Sequence, residues 1–182
     1  MIQLINAYRE KENIHQLKSF IERLVPVEIT PFKIVEGFSC AVISGSERMI
    51  TEEGIPPSAE EFLLNVGIPV IGICYGMQLI ACVFGAQIQG GEKIDGKMRI
   101  DIIKDIPLWE GLPDRVELPE SHRERIISVS DNLEILGVSN TGIEIIKVKG
   151  KEIYGTQFHF ERDDIYGQTI LKNLLRIAGE NV

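Results

Sequence analysis

A cysteine between two glycines is the feature of the sequence that most suggests chemistry. Residues 72–76 are G-I-C-Y-G, at the point where an apolar strand pattern gives way to an apolar helix pattern. A nucleophile on a sharp strand-to-helix turn needs small residues two positions to either side. The turn presents the side chain beyond the carboxyl ends of the strands, and the N-terminus of the following helix stabilises a thiolate. We therefore interpret Cys74 as a nucleophile, the alternative being a buried cysteine packed between glycines.

A cysteine nucleophile requires a general base and a group that orients this base. The chain has three histidines. His15 begins an amphipathic helix pattern, and His122 lies in a polar segment that predicts a loop. His159 follows an apolar strand pattern, with Glu161 two residues further on. Residues i and i+2 of an extended chain face the same side, so Glu161 can hydrogen-bond to the His159 ring, although this spacing also arises by chance.

Strand and helix patterns alternate through the first half of the chain. We predict strands over residues 2–6, 27–32, 40–43 and 68–73, and helices over residues 15–24, 57–66 and 75–85. We expect Ser58, which precedes two glutamates, to cap the second of these helices. Such alternation is typical of a parallel sheet with helices on both faces.

The second half of the chain has the pattern of antiparallel strands. We predict strands over residues 98–103, 125–129, 133–139, 143–148 and 153–158, and a last helix over residues 168–177. The segments 140–142 and 149–150 supply hairpin turns. The predicted fold is therefore α/β and three-layered, with a central, mostly parallel sheet, helices on both faces and an antiparallel extension. We expect residues 1–182 to form one domain.

The charge balance and the cysteine content exclude several classes of function. The chain has 19 Lys and Arg against 27 Asp and Glu, a net charge of −8, which argues against nucleic acid or an anionic membrane as the main partner. Three cysteines without a C-x-x-C pair predict neither a disulfide scaffold nor a zinc site, and favour a cytoplasmic location. The uncharged run over residues 67–86 could span a membrane, but Pro69, Gly72 and Gly76 interrupt it, which favours a buried strand and helix.

Two motifs about 80 residues apart carry a resemblance to a known family. G-I-C-Y-G-M-Q at residues 72–78 resembles the pattern G-x-C-x-G-x-Q of the class I (triad) glutamine amidotransferases. G-T-Q-F-H-F-E at residues 155–161 resembles the family pattern G-x-Q-F-H-P-E, and S-H at residues 121–122 resembles a segment of several members. The similarity extends from the first strand to the last helix. It is nearest to the branch that serves archaeal-type GMP synthases as a separate subunit.

The resemblance implies a flavodoxin-like fold and a catalytic triad. Cys74 would attack the side-chain amide of glutamine, His159 would take the thiol proton and protonate the departing ammonia, and Glu161 would hold His159. A glutamyl thioester would precede the products, glutamate and ammonia. No metal and no organic cofactor would take part. The ammonia would pass to a separate ATP-dependent synthetase.

The resemblance also implies roles for the surrounding residues. The backbone N–H of Tyr75 and the peptide of Gly45 and Ser46 would form the oxyanion hole. The residues implied to line the glutamine pocket are Gln78, Ser121 and His122, the last two at the end that holds the α-amino and α-carboxylate groups.

Three positions depart from the family pattern. Residues 44–47 are S-G-S-E where the family usually has S-G-G-P, Phe160 stands at the usual proline, and R-E at residues 123–124 replaces G-D. Because only glycine adopts positive φ without penalty, Ser46 restricts rotation of the oxyanion peptide. We therefore expect the isolated chain to be a poor glutaminase. Two alternative functions remain, a free-standing γ-glutamyl hydrolase and a catalytically weak regulatory paralogue.

Overall fold

A mixed sheet forms the centre of the structure. The structure, a computed structural model, describes residues 1–181 apart from the side chains of residues 11 and 12. Its strands are β1 (Ile2–Ile5), β2 (Val27–Thr30), β3 (Cys40–Ile43), β4 (Val70–Ile73), β5 (Gln87–Ile102), β6 (Arg115–Ser128), β7 (Leu133–Val138), β8 (Ile143–Val148) and β9 (Ile153–Thr156). Its α-helices are α1 (His15–Glu22), α2 (Ile50–Glu53), α3 (Pro57–Asn65), α4 (Tyr75–Val83) and α5 (Tyr166–Ile177).

The sheet has a parallel half and an antiparallel half. The strand order is β2-β1-β3-β4-β9-β8-β7-β5-β6. Neighbouring strands from β2 to β9 run parallel, whereas those from β9 to β6 run antiparallel. Gly72 of β4 lies opposite both Ile43 of β3 and Gly155 of β9, so the carboxyl ends of these three strands meet at one edge. The predicted parallel sheet with an antiparallel extension is confirmed.

Helices cover both faces of the parallel half. Leu4 packs on one face with apolar residues of α1 and α5, and Ile5 packs on the other face with residues of α3 and α4. The apolar positions of α5 recur every three or four residues, and four of them are fully buried: Ile170, Leu171, Leu174 and Leu175. Burial of each such side chain stabilises the fold by about 1.5–3 kcal/mol. The three-layer prediction is confirmed.

Three local predictions were wrong. Ser58 does not cap α3; Pro57 occupies the first helical position, where its fixed φ suits the helix and its missing N–H costs nothing. The polar segment around His122 is not a loop but part of β6, where His122 lies opposite Ile94 of β5. Both strands of this hairpin are much longer than predicted. The short helix α2 was not predicted.

The apolar run over residues 67–86 forms β4, a sharp turn and the nine-residue helix α4. Within residues 1–181, no helix combines the length and apolar character needed to cross a membrane.

Candidate active site

The turn between β4 and α4 holds Cys74 in a strained conformation. Cys74 has φ 51° and ψ −104°, and within residues 1–181 it is the residue other than glycine with positive φ. A methyl group on Gly72 would lie 2.4 Å from the carbonyl carbon of Gly76, and one on Gly76 would lie 2.7 Å from the Ile43 oxygen. Both glycines are therefore required by backbone packing. Strain of this kind costs about 1–3 kcal/mol and concentrates at functional sites.

The thiol of Cys74 lies against two elements of the sheet. Its backbone N–H donates to the Thr156 carbonyl of β9 at 2.7 Å, and its Sγ lies 3.8 Å from the Ser121 carbonyl of β6. The residue is buried. The backbone N–H of Tyr75 follows in the first turn of α4, where no preceding turn offers an acceptor. This N–H and the helix dipole favour negative charge beside the sulfur.

His159 and Glu161 form a buried pair just beyond β9. Nδ1 of His159 lies 2.7 Å from Oε1 of Glu161, and the His159 backbone N–H donates to the Pro119 carbonyl at 2.8 Å. The predicted pairing is present, but the reason given for it was wrong. Glu161 lies in a short 3₁₀ turn, Phe160–Arg162, and not in extended chain. Because the carboxylate accepts Nδ1–H, Nε2 is left as the basic nitrogen.

The charges around His159 favour its protonated form. Burial lowers the pKa of His159, but hydrogen bonding to Cys74 and Glu161 outweighs burial, and the pKa is raised. The ring can therefore hold the proton that leaves the thiol. Tyr8 lies nearby, and burial followed by the negative charge of Glu161 raises its pKa to about 12. The Tyr8 hydroxyl therefore keeps its proton at neutral pH.

The nucleophile and the base converge at Gly45, which follows β3. A methyl group on Gly45 would lie 3.0 Å from Cε1 of His159, 3.3 Å from the Tyr8 hydroxyl and 3.7 Å from Cβ of Cys74. The Gly45 backbone thus borders all three side chains. Any larger residue would push against the imidazole.

The loop between β3 and α2, residues 44–49, is held by its own hydroxyl groups. Ser46 Oγ donates to the Ala7 carbonyl at 2.9 Å and accepts the Arg48 N–H at 3.1 Å. Ser44 Oγ accepts the Ala7 N–H at 2.9 Å and donates to the Gly45 carbonyl at 2.8 Å. The β3–α2 loop is therefore tied to the segment that follows β1.

An open pocket of about 410 Å³ lies above Cys74. It brings together most of the sequence-predicted residues, namely Ser46, Cys74, Gln78, Ser121, His122 and His159. Its volume suits a small molecule. The side chain of Tyr75 packs in the core on the opposite face of the sheet, so Tyr75 can serve the pocket through its backbone alone.

One wall of the pocket is a network of buried polar side chains. Gln78 Nε2 donates to the Glu124 carbonyl at 3.0 Å and to Gln157 Oε1 at 3.2 Å. Nδ1 of His122 lies 2.8 Å from the same Glu124 carbonyl, and Nε2 lies 2.9 Å from Oε2 of Glu120. A carbonyl only accepts, so Nδ1 carries a proton. Both ring nitrogens of His122 are thus engaged within the protein.

A second buried carboxyl group lies behind this wall. Glu144 of β8 accepts hydrogen bonds from the hydroxyls of Ser139 at 2.6 Å and Thr141 at 3.1 Å. Burial first, and then the negative charge of Glu120, raise the pKa of Glu144 to about 7. The two carboxyl groups cannot both be charged at low cost, which favours a shared proton.

Sequence reasoning missed the charged rim of the pocket. Its cations are Arg48, Lys93, Arg123 and Arg162, in a chain whose net charge is −8. A local concentration of cations suits a substrate that carries a carboxylate. Two of the rim residues directly follow predicted site residues, which is the one signal that could have found them. Tyr8 was expected near the site, and it borders the pocket.

Comparison with known proteins assigns this geometry to a family. The family model of class-I glutamine amidotransferases matches residues 5–177, nearly the whole chain. The chain therefore belongs to the class I glutamine amidotransferase family and is an enzyme of the amidotransferase class.

The relatives include GMP synthases of two lengths. The chain is 34% identical over 174 residues to a separate subunit of the glutamine-hydrolyzing GMP synthase of Methanobrevibacter smithii, covering 94% of this chain and 90% of that relative. It is 32% identical over 137 residues to glutamine-hydrolyzing GMP synthase of Aquifex aeolicus, covering 74% of this chain and 27% of that relative. The chain thus spans about a quarter of the length of this second protein.

A solved structure agrees with the sequence relatives. A Thermoplasma acidophilum protein, proposed to be the corresponding subunit of a GMP synthase, superposes with a TM-score of 0.86 at 26% identity, covering 98% of this chain and 94% of that chain. The family resemblance that the two sequence motifs predict is confirmed, as is the likeness to the separate subunit.

Proposed function

We propose that this chain hydrolyses glutamine through Cys74, His159 and Glu161 and delivers the ammonia to a separate ATP-dependent synthetase that makes GMP. The observation that carries the proposal is the convergence at Gly45, where a strained cysteine at a helix N-terminus meets a histidine paired with a buried glutamate. The pairing with a synthetase rests on the likeness, over 94% of the chain, to a subunit of a GMP synthase.

The chemistry begins with activation of the thiol. Nε2 of His159 takes the proton of Cys74, and the thiolate attacks the side-chain carbonyl carbon of glutamine. The carbonyl π bond becomes an oxyanion, which the Tyr75 N–H and the Ser46 peptide stabilise in this mechanism. The imidazolium then gives its proton to the amide nitrogen as the C–N bond breaks, and ammonia departs. Glu161 holds the ring in the tautomer that leaves Nε2 free.

A thioester between Cys74 and the glutamyl group remains after ammonia leaves. Water, deprotonated by Nε2 of His159, attacks the thioester carbonyl, and the C–S bond breaks to release glutamate and the thiol. The cationic rim of the pocket complements the α-carboxylate of the bound glutamine. His122 supports the pocket wall, since both of its ring nitrogens are already engaged.

Ammonia release from glutamine tests the proposal. The chain is assayed alone and with a GMP-forming synthetase, against Cys74→Ala as the blank. We expect release that depends on Cys74 and rises when the synthetase is present with ATP. Cys74-dependent hydrolysis of γ-glutamyl peptides, with none of glutamine, would contradict the proposal and favour the free-standing hydrolase.

A further inference from the structure

Glu124 is a buried carboxylate in mid-strand that the proposed mechanism does not use. It lies on the inward-facing side of β6 and is 2% exposed. Its Oε2 accepts the backbone N–H of Ile50 and its Oε1 accepts the N–H of Thr51, both at 2.7 Å. These N–H groups open α2, which directly follows the β3–α2 loop. Because the acceptor is charged and both bonds are short, the attachment is a strong one.

The backbone of Glu124 also contacts the opposite side of the pocket. Its carbonyl accepts from Gln78 of α4, the helix that begins beside Cys74, and from His122 of its own strand. One residue of the antiparallel half thus connects the β3–α2 loop to the nucleophile helix. Direct contact between the loop and Cys74 is limited to the close approach at Gly45.

The other end of the β3–α2 loop is fixed independently of Glu124. Ser46 is hydrogen-bonded to Ala7, and Glu47 Oε1 accepts the Arg9 N–H at 2.8 Å. The loop is therefore attached at its start to the segment after β1 and at its end to β6. Removing one attachment would leave the loop free to pivot about the other.

We propose that Glu124 is a positioning residue that fixes the β3–α2 loop at the distance from Cys74 at which its peptide can donate to the oxyanion. The inference rests on the proposed function, because it assigns Glu124 to the geometry of that reaction. Glutamine at this position keeps one acceptor oxygen but presents an NH₂ group to the second backbone N–H. One of the two attachments is then lost and the other is weakened.

The first test separates loop position from thiol reactivity. Glu124→Gln is expected to lower kcat for glutamine by about 10-fold or more, up to the roughly 10²–10³-fold that a lost oxyanion donor costs, with KM little changed. Alkylation of Cys74 by iodoacetamide needs a thiolate but no oxyanion donor, so its rate should stay at the wild-type value. The matched control is Glu117→Gln, an exposed carboxylate on the same strand.

The second test does not depend on turnover. Amide hydrogen exchange over residues 44–51 should be faster in Glu124→Gln than in the wild type and in Glu117→Gln. Glu124→Asp keeps the buried charge but is too short to reach both N–H groups, so it should show the same loss if the glutamine variant does not fold.

The outcomes are distinct. Unchanged exchange over residues 44–51, or unchanged kcat, would overturn the role of Glu124. A parallel fall in hydrolysis and alkylation would also overturn it, because the effect would then lie on Cys74. A wild-type chain without Cys74-dependent hydrolysis, even with the synthetase, would instead refute the proposed function, while the exchange measurement would still decide whether Glu124 holds the loop.

Discussion

The parallel half of the sheet supplies the site through strand ends, and the antiparallel half supplies it through the middle of a strand. Cys74 and His159 follow β4 and β9, and Gly45 follows β3, so each occupies a turn at the same edge. By contrast, Glu120 and Glu124 face inward along β6, with their side chains buried. The first group is placed by backbone geometry, and the second by hydrogen bonds between buried charges. Reactivity and alignment therefore come from different halves of the molecule.

The largest expected effect concerns the nucleophile in the parallel half. Cys74→Ala should abolish both glutamine hydrolysis and labelling by a glutamine-like electrophile, because it removes the sulfur that forms the thioester. Burial raises the pKa of Cys40 to about 12 and of Cys82 to about 11, so neither thiol ionises readily. Mass spectrometry of the labelled chain should find the adduct on Cys74 alone. Equal labelling of Cys82 would contradict the assignment of the turn.

The base and its orienting partner should differ in importance. His159→Ala removes the group that carries the proton, at a cost of roughly 10²–10⁴-fold in rate or more. Glu161→Gln removes a charge but keeps an oxygen that can accept Nδ1–H, so more activity should survive. Steady-state ammonia release for both variants makes the comparison, with Glu60→Gln, an exposed carboxylate, as control. A harmless Glu161→Gln would mean that the hydrogen bond at 2.7 Å is incidental to catalysis.

The two halves also differ in how far the sequence could predict them. Glycines at positions 72 and 76, an apolar run and a following H-x-E are local signals, and they correctly predicted which side chains meet. The hairpin of β5 and β6 was predicted too short because its inward positions include Glu120, His122 and Glu124, so polar residues occupy the positions that hydrophobic alternation marks as core. Their burial depends on partners in α2, α4 and β8, which no local pattern contains.

The buried charges of the antiparallel half should make stability depend on pH. The pKa of Glu144 is raised from 4.5 to about 7, so folding takes up a proton between these values. The stability contributed by protonated Glu144 is fully present below about pH 4.5 and is lost as the pH rises through 7. The loss amounts to at most about 3 kcal/mol at 1.36 kcal/mol per pKa unit.

Glu144→Gln separates this carboxyl from the other ionisable groups. Glutamine resembles the protonated carboxyl, since it can accept from Ser139 and donate towards Glu120. Denaturant unfolding should therefore show a variant that is more stable than the wild type at pH 8 and equal to it near pH 4.5. If both proteins lose the same stability across that range, the antiparallel half holds no shared proton at Glu144.

The smallest expected effect lies at Ser46, where the two halves meet through the β3–α2 loop. The hydroxyl of Ser46 bonds to Ala7 and Arg48, which holds the loop in its present conformation, and its Cβ resists the positive φ that a flipped peptide needs. Ser46→Gly removes both restraints and should raise basal ammonia release by the isolated chain a few-fold. Ser46→Ala removes the hydroxyl but keeps Cβ, so it should gain less, and the difference between the variants measures the backbone restraint. Cys74→Ala serves as the blank. Strong hydrolysis by the unmodified chain, with no gain in Ser46→Gly, would show that Ser46 already presents its peptide to the oxyanion and that the β3–α2 loop needs no partner to do so.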